Sequence, residues 1–546
     1  MRVTQGARIV AGTALLALAA AACGGGGSTS GSTASGGGDT PVRMELGEPQ
    51  KTFIPSDTTE SEGSEVLAAV FDPLVRYDEN KQAVEEAAES ITTEDNKVWT
   101  IKLKPGYTWQ NGEKVTAQNY VDAWNFAANQ DNAQGAGYFF GRVDGYADLN
   151  PGEGKQVTTK EMKGLKAVDD TTLQVTLTAP FSQFKTMLGY TAFYPLPKAA
   201  FGPDGKVTEE YGKKPIGQGL FKFDKPYTKG SDQTIDLSVY DKFLGSKPKG
   251  WTKLQFKLYN SSETAFNDLS ADNLDIHDSI PASQISTAKT TLGDRYTDQP
   301  DAGIGYIGFP PEKTNPEYND IKVREAVSMA IDRKTITETV FSGTRSPADD
   351  FINPAIAGHR DGACAVCTYN PGKAKEQYAA AKGPAKLELA YNADGGHKEW
   401  IEAVANNLRA NLGVEVTVKP FEKFAAILDD LDAKKYTGMF RMGWAIDYPS
   451  PENYLTPIFS TGAIKTGSNY RGYSNKEFDD TVAKGDQAKT PEEGIAEYQK
   501  ADDILIKDLP YIPIYFYRNN SGYSTKVKNV HINLLNQVEW AGVEKS

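Results

Sequence analysis

An arginine and an aspartate stand six residues apart in the apolar, aromatic segment RMGWAIDYPSPENY, residues 441–454. If residues 438–447 form a β-strand, successive side chains point to opposite faces. One face then carries Phe440, Met442, Trp444 and Ile446, and the other carries Arg441, Gly443, Ala445 and Asp447. The first set predicts a core face. The second predicts a strip with a cation at one end and an anion at the other.

Such a strip suits an extended ligand with an ammonium group at one end and a carboxylate at the other. Gly443 and Ala445 would allow a ligand backbone to approach closely, in the manner of an added strand. Asp447 would bind the ammonium and Arg441 the carboxylate. At ~3.3 Å per residue their Cα atoms stand about 20 Å apart, which leaves room for roughly three to five peptide residues. Alternatively, Asp447 only caps the turn at YPSPENY.

Enzyme and metal motifs are absent from the sequence. It contains no His-Glu-x-x-His, no Gly-x-Ser-x-Gly, no phosphate-binding glycine loop and no calcium loop. The four histidines, at 277, 359, 397 and 531, include no pair at metal-ligand spacing. We therefore expect no metal, no cofactor and no covalent chemistry, although a hydrolase that uses two carboxylates stays open.

Size and charge narrow the class of protein. About 500 residues follow a glycine-rich segment near the amino terminus, which is too much chain for one core and predicts two or three domains. The formal charge of −13 and pI near 5.1, with lysines and arginines scattered, argue against a nucleic-acid partner. No second apolar run of membrane length is present.

The amino terminus has the pattern of an export signal. Residues 1–22 combine two arginines with an apolar run that closes in small residues, and this run is too short for a stable membrane span. Cys23 follows, and residues 23–40 form a flexible Gly/Ser/Thr tether. This arrangement resembles the lipobox of bacterial lipoproteins, which implies a diacylglycerol on Cys23. Ala20 stands where that family usually has leucine, and the alternative is ordinary secretion with Cys23 unused.

Two further cysteines form a Cys-x-x-Cys motif at Cys364 and Cys367. In the cytosol this spacing would suggest zinc or redox chemistry. In an exported chain with no further cysteines for a four-ligand site, it favours a local disulfide.

Strands and helices alternate throughout the chain. KVWTIKLKPG and TTLQVTLTAP alternate as half-buried strands, and LPYIPIYFYRNN predicts a strand that enters a core. VTAQNYVDAWNFA predicts a helix capped by Thr116. NDIKVREAVSMAIDRKTI predicts a helix capped by Asp320, with an apolar stripe formed by Val323, Val327, Ala330 and Ile331.

Six segments, spread over about residues 60–520, together resemble one family, the extracytoplasmic solute-binding proteins of peptide ABC importers. The segments are AAESITTEDNKVWTIKLKPGYTWQNGEKVTAQNYVDAW, PIGQGLFKF, NDIKVREAVSMAIDR, YNPGKAKEQYAAA, RGYSNKEFDDTV and LPYIPIYFY. The resemblance implies an α/β, periplasmic-binding-protein-like type II fold, with two lobes joined by a hinge and an extra domain beside the first lobe. Lobe I would comprise residues 41–75, 215–300 and 520–546, the extra domain 76–214, and lobe II 301–519.

The resemblance also implies a binding site. Gly443, Trp444, Asp447 and Tyr448 match the family's Gly-Trp-x-x-Asp-Tyr motif, whose aspartate binds the ammonium of the ligand. Arg441 matches an arginine that helps to hold the ligand carboxylate, and His397 in YNADGGHKEW matches a histidine that does so for longer ligands; a solvated loop histidine is the alternative. The family's tryptophan near the next strand is replaced by Phe421 or Phe424.

From the resemblance we expect capture of oligopeptides outside the cytoplasmic membrane and delivery to an ABC permease for ATP-driven import. The expected partners are the peptide, the permease, its ATPase and, through a lipid anchor, the outer face of the membrane; the protein would be a monomer without cofactor. Alternatives are another solute (a glycoside, metal chelate or antibiotic), a signalling peptide, or a secreted hydrolase. Family members that bind non-peptides tend to lack the aspartate, so Asp447 argues against another solute.

Overall fold

The computed structural model describes residues 40–152, 154–393 and 395–546, without the side chains of Lys465 and Thr466. The predicted signal peptide, Cys23 and residues 24–39 of the predicted tether lie outside the described residues. No helix in the described residues is long and apolar enough to cross a membrane.

Strands and helices alternate along the chain. The strands are β1 (Val42–Leu46), β2 (Val75–Tyr77), β3 (Ala83–Glu85), β4 (Ala88–Thr93), β5 (Val98–Leu103), β6 (Leu165–Ala167), β7 (Thr172–Thr176), β8 (Phe221–Phe223), β9 (Thr234–Val239), β10 (Lys253–Leu258), β11 (Ile276–His277), β12 (Tyr296–Gly308), β13 (Arg345–Pro347), β14 (Lys386–Asn392), β15 (Glu415–Phe421), β16 (Met439–Ala445), β17 (Tyr511–Tyr523), β18 (Val527–Lys528) and β19 (Glu544–Lys545). The helices are α1 (Ser61–Val70), α2 (Ala117–Ala128), α3 (Tyr146–Leu149), α4 (Phe184–Met187), α5 (Glu209–Lys213), α6 (Ser262–Ser270), α7 (Ile285–Leu292), α8 (Ile321–Met329), α9 (Arg333–Thr335), α10 (Pro371–Ala380), α11 (Lys398–Leu412), α12 (Phe424–Asp432), α13 (Glu452–Phe459), α14 (Ala463–Thr466), α15 (Lys476–Asp486) and α16 (Pro491–Asp508).

The largest sheet has the strand order β15-β14-β16-β12-β17-β11-β1-β10-β9-β8, and β13 pairs with β17. Strands β8 to β11 and β1 form one half, and β14 to β16 form the other. Parallel and antiparallel pairs both occur: β1 runs parallel to β10, whereas β12 is antiparallel to β16 and β17. The sheet is therefore mixed, with helices in the connections of both halves.

The two central strands, β12 and β17, join these halves. Residues 296–300 of β12 pair with residues 518–522 of β17, and residues 304–308 pair with residues 511–516. The register shifts between Pro300 and Ile304. A register shift of this kind bends and twists a ladder locally, and this one lies where the two halves meet.

A separate four-stranded sheet, of order β4-β5-β7-β6, packs against α2. The alternating residues Trp99, Ile101, Leu173 and Val175 are buried in its core, which confirms both predicted strands. Helix α2 begins after Thr116 as predicted, and the Thr116 N–H donates to Asn119 Oδ1 at 2.9 Å.

Helix α8 begins after Asp320, whose carboxylate accepts a hydrogen bond from the Lys322 N–H at 2.8 Å, and this confirms the predicted cap. Val323 and Val327 are buried on the helix. Ala330 and Ile331, predicted on the same stripe, lie just beyond the last helical residue but are also buried.

The two cysteines of the Cys-x-x-Cys motif are joined by a disulfide. The Cys367 carbonyl accepts a hydrogen bond from Arg333 Nη1 at 2.7 Å, which links the disulfide turn to the residues that follow α8.

Candidate ligand-binding site

Strand β16 carries the segment in which the arginine and aspartate lie. Phe440 and Met442 are buried in the core, and Trp444 packs partly buried against the same cluster, as alternation predicts. The strand ends at Ala445 and not at Asp447, which corrects the predicted bounds. Its last pair, Ala445 with Gly303, lies at the register shift of β12, so the ladder that would extend the strand stops there.

Asp447 therefore lies in the turn between β16 and α13, where Asn453 fixes it. The Asp447 N–H donates to Asn453 Oδ1 at 2.8 Å, and Asn453 Nδ2 donates to the Asp447 carboxylate at 3.1 Å. No cation of the described residues lies within salt-bridge distance of this carboxylate. Burial, helped by the nearby charge of Glu452, raises the pKa of Asp447 to about 7 despite the Asn453 hydrogen bond.

Asp447 lines a cavity of about 630 Å³. This volume lies within the range of sites for small ligands, which is ~300–1,000 Å³. Residues from many distant parts of the chain form its wall, among them Glu45 and Glu65 near the start, Tyr190, and Asp447 in the last fifth. Glu45 lies on β1 and Glu65 on α1, whereas Tyr190 and Asp447 lie in connecting segments, so the cavity depends on how distant segments pack together.

Tyrosines of β17 occupy the space beside the glycines of β12. A Cβ on Gly303 would lie 2.7 Å from the Tyr517 ring, and a Cβ on Gly305 would lie 2.3 Å from the Tyr515 ring. At Gly443 a Cβ would lie 3.2 Å from the Ile304 carbonyl oxygen. Tyrosine rings of the protein itself therefore fill the space that the glycines of β12 leave open. The space for a ligand beside β16 is narrower than the sequence suggests.

Arg441 lies within β16, outside the wall of this cavity. It is buried, its Nη1 donates to Asn392 Oδ1 at 2.9 Å, and its guanidinium lies 5.3 Å from the Phe424 ring centroid. Its Nε has no hydrogen-bond partner, and no carboxylate of the described residues lies within 4.0 Å of the guanidinium. A buried guanidinium without a counter-ion is costly, and an anionic ligand group would offset that cost.

His397 immediately precedes α11 and also lies outside the cavity wall. The Trp400 Nε1–H donates to His397 Nδ1 at 3.2 Å. The Trp400 ring meets the Tyr515 ring edge-on, with centroids 5.5 Å apart. Tyr515 in turn contacts Tyr517, which lines the cavity. A continuous aromatic path therefore connects His397 with the cavity.

Sequence reasoning missed Arg345. This arginine opens β13, lines the cavity and stacks on the Tyr517 ring at 4.2 Å. Its Nη1 donates to the Thr344 carbonyl at 2.6 Å, whereas its buried Nε has no partner. Nothing in the local sequence GTRSPAD distinguishes it from a surface arginine, because its place in the cavity depends on the pairing of β13 with β17.

The aromatic residues of the predicted motif hold the turn. Trp444 Nε1 lies 3.4 Å from Asn453 Oδ1, the side chain that also binds Asp447. The Tyr448 hydroxyl donates to the Glu452 carboxylate, and its ring packs edge-on against Phe139, with centroids 6.5 Å apart. Both side chains therefore position the Asp447 turn.

Arg142 joins the segment that carries the small sheet to the carboxyl-terminal half of the chain. It forms ion pairs with Glu452 at 2.9 Å and Asp486 at 3.1 Å, and its guanidinium lies 3.9 Å from the Phe181 ring centroid. The Ser182 N–H donates to the Asp486 carbonyl at 2.7 Å. Burial and the charge of Glu452 raise the pKa of Asp486 to about 6, against the lowering effect of Arg142. We call this ion-pair group the Arg142 cluster.

Residues 82–466 match the family described as "Bacterial extracellular solute-binding proteins, family 5 Middle". The chain belongs to this family of solute-binding proteins. It is 26% identical over 509 residues to the oligopeptide-binding protein OppA of Bacillus subtilis, with 90% of each chain covered. It is 27% identical over 482 residues to the periplasmic murein peptide-binding protein MppA of Escherichia coli, with 86% of each covered.

The fold agrees with solved structures of relatives. The structure of the E. coli murein tripeptide-binding protein MppA superimposes with a TM-score of 0.75 at 24% identity, covering 92% of this chain and 98% of that one. This similarity confirms the expected two-lobe, periplasmic-binding-protein-like α/β fold. The relatives are named as binding proteins.

Proposed function

We propose that this protein captures oligopeptides outside the cytoplasmic membrane and delivers them to an ABC permease and its ATPase for import. The observation that carries the proposal is Asp447, a carboxylate with no cationic partner among the described residues, in the wall of a cavity of ligand size. A free peptide amine supplies the missing positive charge. The peptide names of the relatives support the same class of ligand.

The proposed peptide lies along β16, with its ammonium at Asp447 and its chain beside Gly443 and Ala445. Arg441 and His397 hold the carboxylate of ligands long enough to leave the cavity. Trp444 and Tyr448 act through the turn that they stabilise.

For the hinge, we propose the β12–β17 pair. Lobe I comprises residues 41–75, 215–300 and 520–546, the extra domain 76–214, and lobe II 301–519. The register shift after Pro300 coincides with the proposed boundary between lobes, and a bend in two paired strands is a suitable pivot for closure.

Native mass spectrometry tests the proposal. The purified protein is measured with its co-purifying ligand, which is then released and sequenced. We expect a peptide, recovered intact after incubation with the protein. A glycoside or a metal chelate would contradict the proposed ligand class. Repeated cleavage of added peptide by each protein molecule would indicate a hydrolase.

A comparison of two arginines locates the ligand carboxylate. Arg441→Gln should weaken binding of free-acid tetra-alanine by about tenfold or more, since a hydrogen bond to a charged group contributes ~1.5–3 kcal/mol. It should leave binding of tetra-alanine amide nearly unchanged. Calorimetric titration measures both. Arg345→Gln is the matched variant, and a loss found there instead would place the carboxylate inside the cavity.

We also propose that Cys23 carries a lipid that holds the protein at the outer face of the membrane, as a monomer on the tether of residues 23–40. Cys23→Ala should move the protein from the membrane fraction to the soluble extracytoplasmic fraction. Immunoblotting of the two fractions measures this. Unchanged fractionation would show that the protein reaches the membrane by another route.

A further inference from the structure

The cavity wall is strongly acidic. Its carboxylates number seven, and they are Glu45, Glu60, Glu62, Glu65, Asp278, Asp301 and Asp447. Its two cationic residues are Arg345 and Arg518, and Arg518 is already paired with Asp298 at 2.7 Å. A zwitterionic peptide with neutral side chains has no net charge, so its binding at Asp447 leaves this excess of carboxylates uncompensated.

Four of the carboxylates form a wall in the amino-terminal part of the sheet, far in sequence from Asp447. Glu45 lies on β1 and Asp278 just after β11, and the two strands are paired through Met44 and Ile276. Glu62 and Glu65 project from the first turns of α1. We call Glu45, Glu62, Glu65 and Asp278 the acidic wall.

Glu65 shows that the acidic wall is electrostatically incomplete. It is 4% exposed, and its Oε1 accepts a hydrogen bond from the Val538 N–H at 3.3 Å. Its Oε2 is buried without any hydrogen-bond partner, and no cation of the described residues pairs with it. A buried carboxyl group in this state is costly unless it holds a proton or meets a cation. Burial raises the pKa of Glu65 to about 8.

A proton shared between neighbouring carboxyl groups would compensate only part of the negative charge of the acidic wall. Glu45 and Asp278 have carboxylate oxygens within 4.8 Å of each other, and burial together with the charges of Glu45 and Glu65 raises the pKa of Asp278 well above its usual value. Burial also raises the pKa of Glu62. Glu62 interacts in this way with Glu60, which also lines the cavity. Glu65 has no carboxyl partner of this kind in the cavity wall, so it would gain most from a cation that enters the cavity.

A metal ion is the other cation to consider, since Glu45, His277 and Asp278 offer ligand atoms within 4.8 Å of one another. The imidazole, however, is already engaged on both nitrogens. Nε2 lies 3.1 Å from the Ser262 carbonyl oxygen, and Nδ1 lies 3.4 Å from the Ser279 nitrogen and 3.4 Å from a Glu45 carboxylate oxygen. Glu45 is thus the member of the wall that already has a partner. A metal at this point would also leave Glu62 and Glu65 without a cation. An organic cation that reaches into the cavity can interact with all four carboxylates of the acidic wall.

We propose that the acidic wall is a subsite for a cationic side chain, so that this protein selects peptides that carry lysine, ornithine or arginine in addition to a free amino terminus. The inference rests on the proposed function and adds a substrate class to it. Asp447 binds the terminal ammonium on one side of the cavity, and the acidic wall binds the second positive charge on the other. The long flexible stem of a basic side chain suits such a separation.

The test uses tetra-alanine in which position 2, 3 or 4 is replaced by lysine or by norleucine, titrated calorimetrically in the presence of EDTA. At one position or more, lysine should bind at least about 30-fold more tightly than norleucine, because a close charge pair in a buried site is typically worth ~2 kcal/mol or more. Nε-acetylation of that lysine should abolish the preference. This second comparison uses only the wild-type protein, so it does not depend on the folding of a variant.

Variants then assign the preference to the acidic wall. The double variant Glu62→Gln, Asp278→Asn should reduce the lysine-to-norleucine ratio to below about threefold. Glu89→Gln, a carboxylate on the exposed part of β4, is the matched control and should leave the ratio as in the wild type. Asp447→Asn should weaken the lysine and norleucine peptides by the same factor.

The outcomes separate the two proposals. Binding of tetra-alanine with no lysine preference at any position overturns the acidic wall as a cation subsite and leaves the proposed function intact. No binding of any peptide contradicts the proposed function itself. A lysine preference that survives in the double variant, or one that appears only when Mg²⁺ or Ca²⁺ replaces EDTA, also overturns the inference.

Discussion

Asp447→Ala should weaken the binding of an unblocked peptide by about 30-fold to several thousandfold. Removing one member of a buried, hydrogen-bonded charge pair typically costs ~2–5 kcal/mol, at ~1.4 kcal/mol per factor of ten. Asp447 is partly buried, and in the described residues Asn453 provides the only side-chain hydrogen bond to this carboxylate. A ligand ammonium therefore supplies the charge compensation that the protein does not.

N-acetylation of the peptide should cost the wild-type protein about as much as the substitution does. The two losses should not add, because each removes the same interaction. Calorimetric titration of both proteins with both peptides completes the cycle. Wild-type binding that is indifferent to N-acetylation would show that Asp447 only stabilises its turn through Asn453.

The affinity for an unblocked, uncharged-side-chain peptide should be greatest between about pH 7 and pH 8. The pKa of Asp447 in the empty protein is about 7, and the ammonium requires the ionised carboxylate. Below pH 7 the carboxylate must release a proton before it binds, so affinity falls about tenfold per pH unit and is ~100-fold weaker at pH 5. Above pH 8 the peptide amine loses its own proton, since its usual pKa is ~7.7–8.0.

Titrations of the same peptide from pH 5 to pH 9 measure this profile, with the N-acetylated peptide as control. The control should vary much less, because it does not use the Asp447 charge; loosening of the Arg142 cluster as Asp486 gains a proton would affect both peptides alike. A flat profile for the unblocked peptide would contradict the role of Asp447. The folding stability of the empty protein should change in the opposite direction to the affinity. Because the pKa of Asp447 is raised in the folded state, folding favours the protonated carboxyl group, and the contribution of Asp447 to stability falls as pH rises from about 4 to about 7.

Local sequence patterns predicted the elements that depend on local physics. Alternation correctly placed Phe440 and Met442 in the core, and the caps Thr116 and Asp320 begin the helices predicted for them. The end of β16 could not be predicted in this way, because the partner strand β12 determines where the ladder stops. Residues 438–447 alone contain no signal for a register shift in a strand that is distant in sequence.

Of the cavity wall, the sequence indicated the part that one segment carries and not the parts where several segments meet. Asp447 could be found because its motif is contiguous. Arg345 and the acidic wall could not, since residues 45, 62–65, 278 and 345 come together only through the pairing of β1 with β11 and of β13 with β17. The tyrosines that fill the space beside Gly303 and Gly305 also come from a strand about 200 residues away.

The Arg142 cluster has a consequence for how affinity and selectivity can change separately. Arg142, Glu452 and Asp486 do not line the cavity, so their ion pairs contribute the same free energy to every complex that brings these segments together. Apparent affinity scales with the fraction of molecules already in the binding-competent arrangement. Substitutions in this cluster would therefore raise or lower the affinity for all ligands by the same factor. The preference for one ligand over another would still depend on Asp447 and the cavity wall. Overall affinity and ligand selectivity would thus depend on different residues in this protein.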